Sequence, residues 1–357
     1  MVEHAGRWRL GVSMILGAAL VAYFFIFPEP LSSELSAKPR WATRVVQTAA
    51  DPSRAAFGEV EALPFVSQRA YGFVSPDGTL LYAGLGPEGV QALGGKALVA
   101  RGGRSVVLNA DGSEGASVPG EGAFMAAGRL FAADGGGSGV AAYDDYGVEQ
   151  WRYRFAGRVS AFAAAADIAV AGTLDGKLEG VGLDGSRQFE FAPGGSRIEA
   201  IFGVAASQDG ARVAAISGLD PQRLVVLGRG GAGYRVVAHK YLDSDFREPA
   251  RVAFLEGGRY ALYRRPDGVG ILGLDEKVDG LIPVAADEFR AFYREGAPRA
   301  YLYAERGRDK SVVAFKAPTL IYGSLSLPSS AQLIGMQGDA LFIEYDDGLY
   351  RLDFTEE

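Results

Sequence analysis

The sequence predicts an all-β protein: a β-propeller of four-stranded blades behind one N-terminal transmembrane helix. Three observations predict it. An uncharged run of 18 residues, Leu10 to Phe27, stands near the start of the 357-residue chain. From about residue 66, short apolar runs alternate with Gly, Asp-Gly or Pro every 8–12 residues. Those runs group into units that recur at a spacing near forty residues.

At about 1.5 Å rise per residue the uncharged run would reach roughly 27 Å, close to a hydrocarbon core of about 30 Å. Arg7 and Arg9 precede it, while Glu29 and Glu34 follow. That asymmetry predicts residues 1–9 in the cytoplasm and the rest outside. A cleaved signal would carry a shorter apolar core and small residues at the cut. Glu34 and Leu35 stand where those small residues belong, so an uncleaved anchor is the expectation. Residues 28–64, punctuated by Pro28, Pro30, Pro39, Pro52 and Pro64, read as a linker with a short helix near residues 41–50.

The repeats begin after the linker, giving a propeller over residues 65–357. Asp-Gly occurs at Asp77, Asp111, Asp134, Asp175, Asp184, Asp209, Asp267, Asp279 and Asp347. Between β-rich runs this dipeptide marks a hairpin. Residues 159–191 (VSAFAAA, IAVAGTLDG, KLEGVGLDG, SRQFEF) read as four strands joined by tight turns. Similar units start near Val90, Phe124, Val159, Ile198, Ala250, Phe289 and Ala331, with gaps of 34, 35, 39, 52, 39 and 42 residues. The last unit holds three strands, so TLLYAGL (79–85) is expected to supply its outer strand and close the ring. This gives seven blades, with six or eight as alternatives. DEFRAFYRE (287–295) is the one stretch that reads as a short helix.

GVAAYDDYGVEQWRYRF (139–155) resembles the repeat of bacterial PQQ-like propellers, with an acidic turn, Gly147 and then Trp151. SPDGTLLYAGL (75–85) and SQDGARVAAIS (207–217) are similar to the loop-strand signature of WD-repeat-like propellers. The resemblance covers residues 66–354. It implies a fold and no single function, because such propellers host enzymes, sensors and scaffolds alike.

Composition narrows the function. Net charge is −7 with no basic cluster, which argues against a nucleic-acid partner. There is no Cys, hence no disulfide, thiolate site or Cys nucleophile. With neither disulfides nor a glycosylation sequon, the extracytoplasmic reading points to a bacterial periplasm. Trp151 is the only Trp in the repeats, too few for a stacked quinone, and reads as blade-to-blade packing. A single Asn, Asn109, cannot supply a calcium-lactonase ring. Asp243-Ser244-Asp245 begins like a calcium loop, but Arg247 and Glu248 break the pattern. No Gly-x-Ser-x-Gly elbow accompanies His239. Gly228 to Gly233 fits G-x-G-x-x-G, yet Tyr234, Val236 and Val237 follow where a dinucleotide site needs a helix. No catalytic set, metal or cofactor is expected.

The expected role is a protein-interaction or scaffolding module of the cell envelope, binding envelope proteins and held in the membrane through residues 10–27. The binding candidates are Tyr241, Phe246, Arg247, Arg264, Arg265, Phe292 and Tyr293, aromatic and Arg residues of the kind that dominate interfaces. The alternative is a solute sensor or enzyme with its site in the central channel, using inner-strand residues such as Glu199, Arg251 and Arg290.

Overall fold

A computed structural model describes residues 35–48, 61–86, 89–93, 96–231 and 233–356. The expected membrane helix at 10–27 and the cytoplasmic tail lie outside these residues. Among the described residues, no helix is long and apolar enough to cross a membrane.

The described residues form eight antiparallel sheets, one more than the seven expected and one of the alternatives. Blade 1 comprises Leu63–Val66, Ala70–Val74 and Leu80–Leu85. Blades 2 to 7 span residues 90–119, 123–154, 159–191, 198–241, 252–282 and 288–327, each with four strands in chain order. Blade 8 takes three strands from residues 332–356 and its outer strand from Leu35–Arg44.

Eight hydrophobic clusters account for the ring. Each lies between two neighbouring blades, and the eighth joins blade 1 to blade 8. Alternation along a strand produces this. In Ala300–Arg306, Leu302 and Ala304 pack towards blade 6, while Tyr301 and Tyr303 pack towards blade 8. Middle strands are covered on both faces, so Ile168–Thr173 is buried throughout. Trp151 is buried between blades 3 and 4, beside Ala169, Ala171 and Val181.

Four sequence expectations change. TLLYAGL does not close the ring; it is the third strand of blade 1, paired with Ala70–Val74. The closing strand is Leu35–Arg44, from the stretch read as a linker, paired antiparallel with residues 348–356. Residues 41–44, placed in a short helix, belong to that strand. The stretch 287–295 is no helix either: Glu288–Phe292 is the innermost strand of blade 7, with Phe289 buried and Arg290 exposed in alternation.

Blade 1 also runs the other way. Glu61, just before its first strand, accepts a hydrogen bond from Gln337 at the end of the innermost strand of blade 8 (2.8 Å). Arg69, in its first turn, meets Asp347 in the second turn of blade 8 (2.9 Å). With three strands among the described residues, reversal is what lets the chain leave blade 1 on the face where blade 2 begins.

The Asp-Gly turns are hairpins, as expected, with one exception: Asp279–Ile282 is a strand. In most of them the Gly alone has positive φ, at Gly78, Gly112, Gly176, Gly185 and Gly210. The Asp carboxylate instead accepts the N–H two residues on, as in Asp77 to Thr79 and Asp209 to Ala211 (both 3.0 Å). Gly185 has a second duty, because a Cβ there would lie 2.7 Å from the Trp151 Cβ of the blade before. Gly185→Ala is therefore expected to cost about 2 kcal/mol or more, adding a clash to backbone strain. Gly102→Ala, at φ 59° in open space, should cost about 1 kcal/mol. Thermal melts of the two variants check the difference.

Candidate functional site

The innermost strands of blades 2 to 8 run in one direction. The links between blades therefore lie on one face, here called upper, and the turns after first and third strands lie on the lower face. The seven sequence candidates divide between these faces. Tyr241, Phe246, Arg247, Arg264 and Arg265 sit on or near the upper rim of blades 5 and 6. Phe292 and Tyr293 sit on the lower side of blade 7.

The upper group is built around the link from blade 5 to blade 6. Gln222, fully buried and following the cis Asp220–Pro221 peptide, organises it. Its side-chain amide donates to the Phe246 carbonyl (2.9 Å) and accepts from the Ser244 hydroxyl (3.2 Å) and the Phe246 N–H (3.3 Å). Its own carbonyl accepts from the Leu242 N–H (2.9 Å). Nothing in the sequence singled out Gln222. Gln222→Ala is expected to leave those loop groups unsatisfied, at about 1–3 kcal/mol. Faster amide exchange confined to residues 242–248 would report it; unchanged exchange there would count against the pinning role.

Arg264, expected as a contact residue, is instead a brace. It is 8% exposed. Its two terminal nitrogens donate to Glu248 and Asp287 (both 2.7 Å), and its guanidinium lies 4.2 Å from the centre of the Phe246 ring. Arg265 is held by Asp267 at 2.8 and 3.0 Å, which raises its pKa. That leaves Tyr241, 57% exposed, and exposed Arg247 as the groups facing outward. A recess of about 660 Å³ lies beside them, lined by Arg197, Asp220, Leu242, Asp243 and Asp245. Arg197 clamps Asp220 through two hydrogen bonds (2.9 and 2.7 Å), the main cause of that carboxylate's depressed pKa.

Towards the axis, Arg251 precedes the innermost strand of blade 6, while Glu288 and Arg290 stand on that of blade 7. Loss of hydration lowers the Arg251 pKa; Arg290 adds repulsion, and Glu288 opposes both. Glu199 is exposed on the innermost strand of blade 5.

On the lower face, Phe292, Tyr293, Arg294, Pro298 and Met336 line a recess of about 620 Å³ between blades 7 and 8. The Tyr301 hydroxyl donates to Asp339 in its wall (2.5 Å).

The Gly228–Gly233 stretch is a hairpin, with Gly230 opposite Gly233. His239 lies on the exposed outer strand Gly233–Tyr241, in edge contact with Tyr241. Among the described residues, no three His, Cys, Asp or Glu side chains are grouped to hold a metal.

A family model described as "beta-propeller protein" matches residues 10–357. The chain belongs to that family. An uncharacterized protein of Treponema pallidum (strain Nichols) is 30% identical over 277 residues, covering 75% of this chain and 74% of that protein. Among solved structures, BamB from Moraxella catarrhalis superposes with a TM-score of 0.59 at 12% identity, over 89% of this chain and all of that one. A chain of the mitotic checkpoint complex gives 0.53 at 10%, covering 92% and 95%. The computationally designed Ika8 protein gives 0.57 at 15%, covering 84% and 98%. At these identities the structural likenesses speak to the fold alone.

Proposed function

We propose that this propeller is a non-catalytic protein-interaction module of the bacterial envelope, related to the PQQ-like and WD-repeat-like propellers. In this reading residues 10–27 anchor it in the inner membrane and the propeller lies in the periplasm, where it binds other envelope proteins. The family match begins at residue 10, the first residue of the uncharged run, and a bacterial relative covers three quarters of the chain. The observation that carries the reading is the pinned upper loop. Gln222 and Arg264 fix its backbone and Phe246, so Tyr241 and Arg247 are presented without a large ordering cost on binding.

The test is crosslinking in cells followed by affinity capture. The wild-type chain should recover a reproducible set of envelope proteins. Tyr241→Ala combined with Arg247→Ala should lower that recovery about tenfold or more, the size expected of interface anchors. Equal recovery by the double variant would refute the assignment of this loop.

One observation favours a second reading, a small anionic solute held at the channel mouth. Arg251 directly precedes the innermost strand of blade 6, and Arg290 lies on the neighbouring innermost strand of blade 7, with Glu288 on the same strand as counter-charge. Solute-induced stabilisation abolished by Arg251→Ala would support it.

A further inference from the structure

We infer that the lower side of blades 7 and 8 rests on the lipid headgroups of the membrane, leaving the upper face turned away from it. The inference rests on the anchor reading above and adds an orientation to it.

The first step is where the chain joins the ring. Leu35 pairs with Glu356, at the end of the third strand of blade 8. Third strands end on the lower face, so the outer strand Leu35–Arg44 starts at the lower rim and climbs. It is fastened along its length: Arg40 to Asp353 (2.7 Å), the Trp41 indole N–H to the Pro76 carbonyl (2.9 Å) and the Thr43 hydroxyl to the Gly78 carbonyl (2.6 Å). Its start is therefore a fixed point.

The second step is reach. Eight residue steps separate Phe27 from Leu35. A fully extended chain covers at most about 3.3–3.6 Å per residue, so the lower rim at blade 8 stays within about 28 Å of the end of the uncharged run. Turning the upper face to the bilayer would make those residues retrace the height of a blade as well as reach the membrane. Turning the lower face to it needs no such detour.

The third step is what that side presents. The Leu35 Cβ lies 3.4 Å from where a Cβ on Gly323 would be, which puts the outer strand of blade 7 beside the tether, three residues on from its first residue, Leu320. That strand begins with Leu320, 58% exposed, and Ile321, 37% exposed. Next to it opens the recess with Phe292, Tyr293, Pro298, Met336 and the exposed Arg294 at its edge. Aromatic rings, aliphatic side chains and an arginine suit the headgroup layer, where apolar carbon, ester and phosphate occur together. The division of the sequence candidates follows: Phe292 and Tyr293 meet lipid, while Tyr241 and Arg247 meet protein.

The chain has no Cys, so single introduced cysteines report cleanly. The full-length chain would be reconstituted in phosphatidylcholine vesicles doped with a headgroup-spin-labelled phosphatidylcholine, and flotation measured first. Fluorophores on Leu320→Cys and Arg294→Cys should be quenched about twofold or more, and those on Tyr241→Cys and Leu174→Cys hardly at all, because interfacial contact is short-ranged. Flotation with equal quenching on both faces, or more on the upper, overturns the orientation and leaves the anchor standing. Failure to float overturns both. Adding Leu320→Asp should weaken quenching at Arg294→Cys while flotation persists; unchanged quenching would show that the apolar rim takes no part.

Discussion

A chain lacking residues 35–44 is expected to lose cooperative folding. Outer strands of the other blades could fray at modest cost, but this one closes a ring. Its removal uncovers the backbone of residues 348–356 and takes away the half-buried side chains of Leu35, Ala37 and Trp41, which pack against blades 7, 8 and 1. Full burial of one large side chain contributes about 1.5–3 kcal/mol. Several partial burials, a salt bridge and a strand's worth of hydrogen bonds together rival a total stability of about 5–15 kcal/mol. The exposed edge would also invite pairing with other chains. The check is a denaturant melt with light scattering; a soluble truncation that melts like the parent would refute the closure role. A rescue makes the test specific. Leu35 faces Glu356, so a permutant starting at residue 61, with residues 35–48 attached after Glu356 by a tight turn, makes blade 8 from consecutive strands. It should recover most of the lost stability.

The closing strand also gives the clasp a pH dependence. Burial pushes the Asp353 carboxyl up, but hydrogen bonds from Arg351 and Arg40 outweigh it, and the net pKa lies below the ordinary value. Its contribution is thus present at neutral pH and is lost as pH falls through that depressed value.

Much of the ring was legible, for reasons that also explain the gaps. Blades 3 to 7 announce themselves because their strands alternate towards two neighbours and most of their turns carry Gly, Asp-Gly or Pro. The predicted starts at Val159 and Ile198 coincide with observed strands. Blade 1 was hidden because its described residues form three strands and the first two of these fall in the proline-marked stretch and just after it. The closing strand was hidden because a register shift between Pro39 and Trp41 breaks its alternation. As an outer strand it is also half exposed, and it carries Lys38, Arg40 and Arg44. At the candidate site the aromatic and Arg residues were visible as types, but their roles were not. Whether an arginine faces a partner or props up a loop depends on acids distant in sequence, as Arg264 depends on Glu248 and Asp287. Gln222 gave no signal because its importance lies in backbone groups that any sequence would supply.

The second large effect is expected at the seam between blades 7 and 8, where the sequence placed no charge pair of note. Lys310 is 6% exposed; its ammonium donates to the Ala331 carbonyl (2.6 Å) and lies 3.7 Å from Glu305. Glu344, 3% exposed, stands across the seam. Burial raises the Glu344 pKa, the Asp347 N–H opposes, Asp347 and Asp346 add repulsion, and Lys310 pulls it back down. Lys310→Met would remove the cation and leave the carboxylate buried without it. The close acidic neighbour of Lys310 is Glu305 and not Glu344, so the loss is expected to fall below that of a broken buried pair, at about 2 kcal/mol at pH 7. The sign with pH follows from linkage. A carboxyl whose folded pKa lies above its unfolded value binds protons more tightly in the native state, so its penalty is absent below the unfolded value and grows as pH rises through the folded one. The deficit of Lys310→Met should therefore shrink between pH 7 and pH 5. Glu344→Gln alone should be neutral or stabilising at pH 7, because the amide oxygen can still accept the Asp347 N–H without burying a charge. Adding Glu344→Gln to Lys310→Met should restore most of the loss. Urea titrations of the three variants at both pH values check all of this. A deficit in Lys310→Met that is independent of pH and unrelieved by Glu344→Gln would mean that the lysine acts only through the Ala331 carbonyl, as a strut between blades.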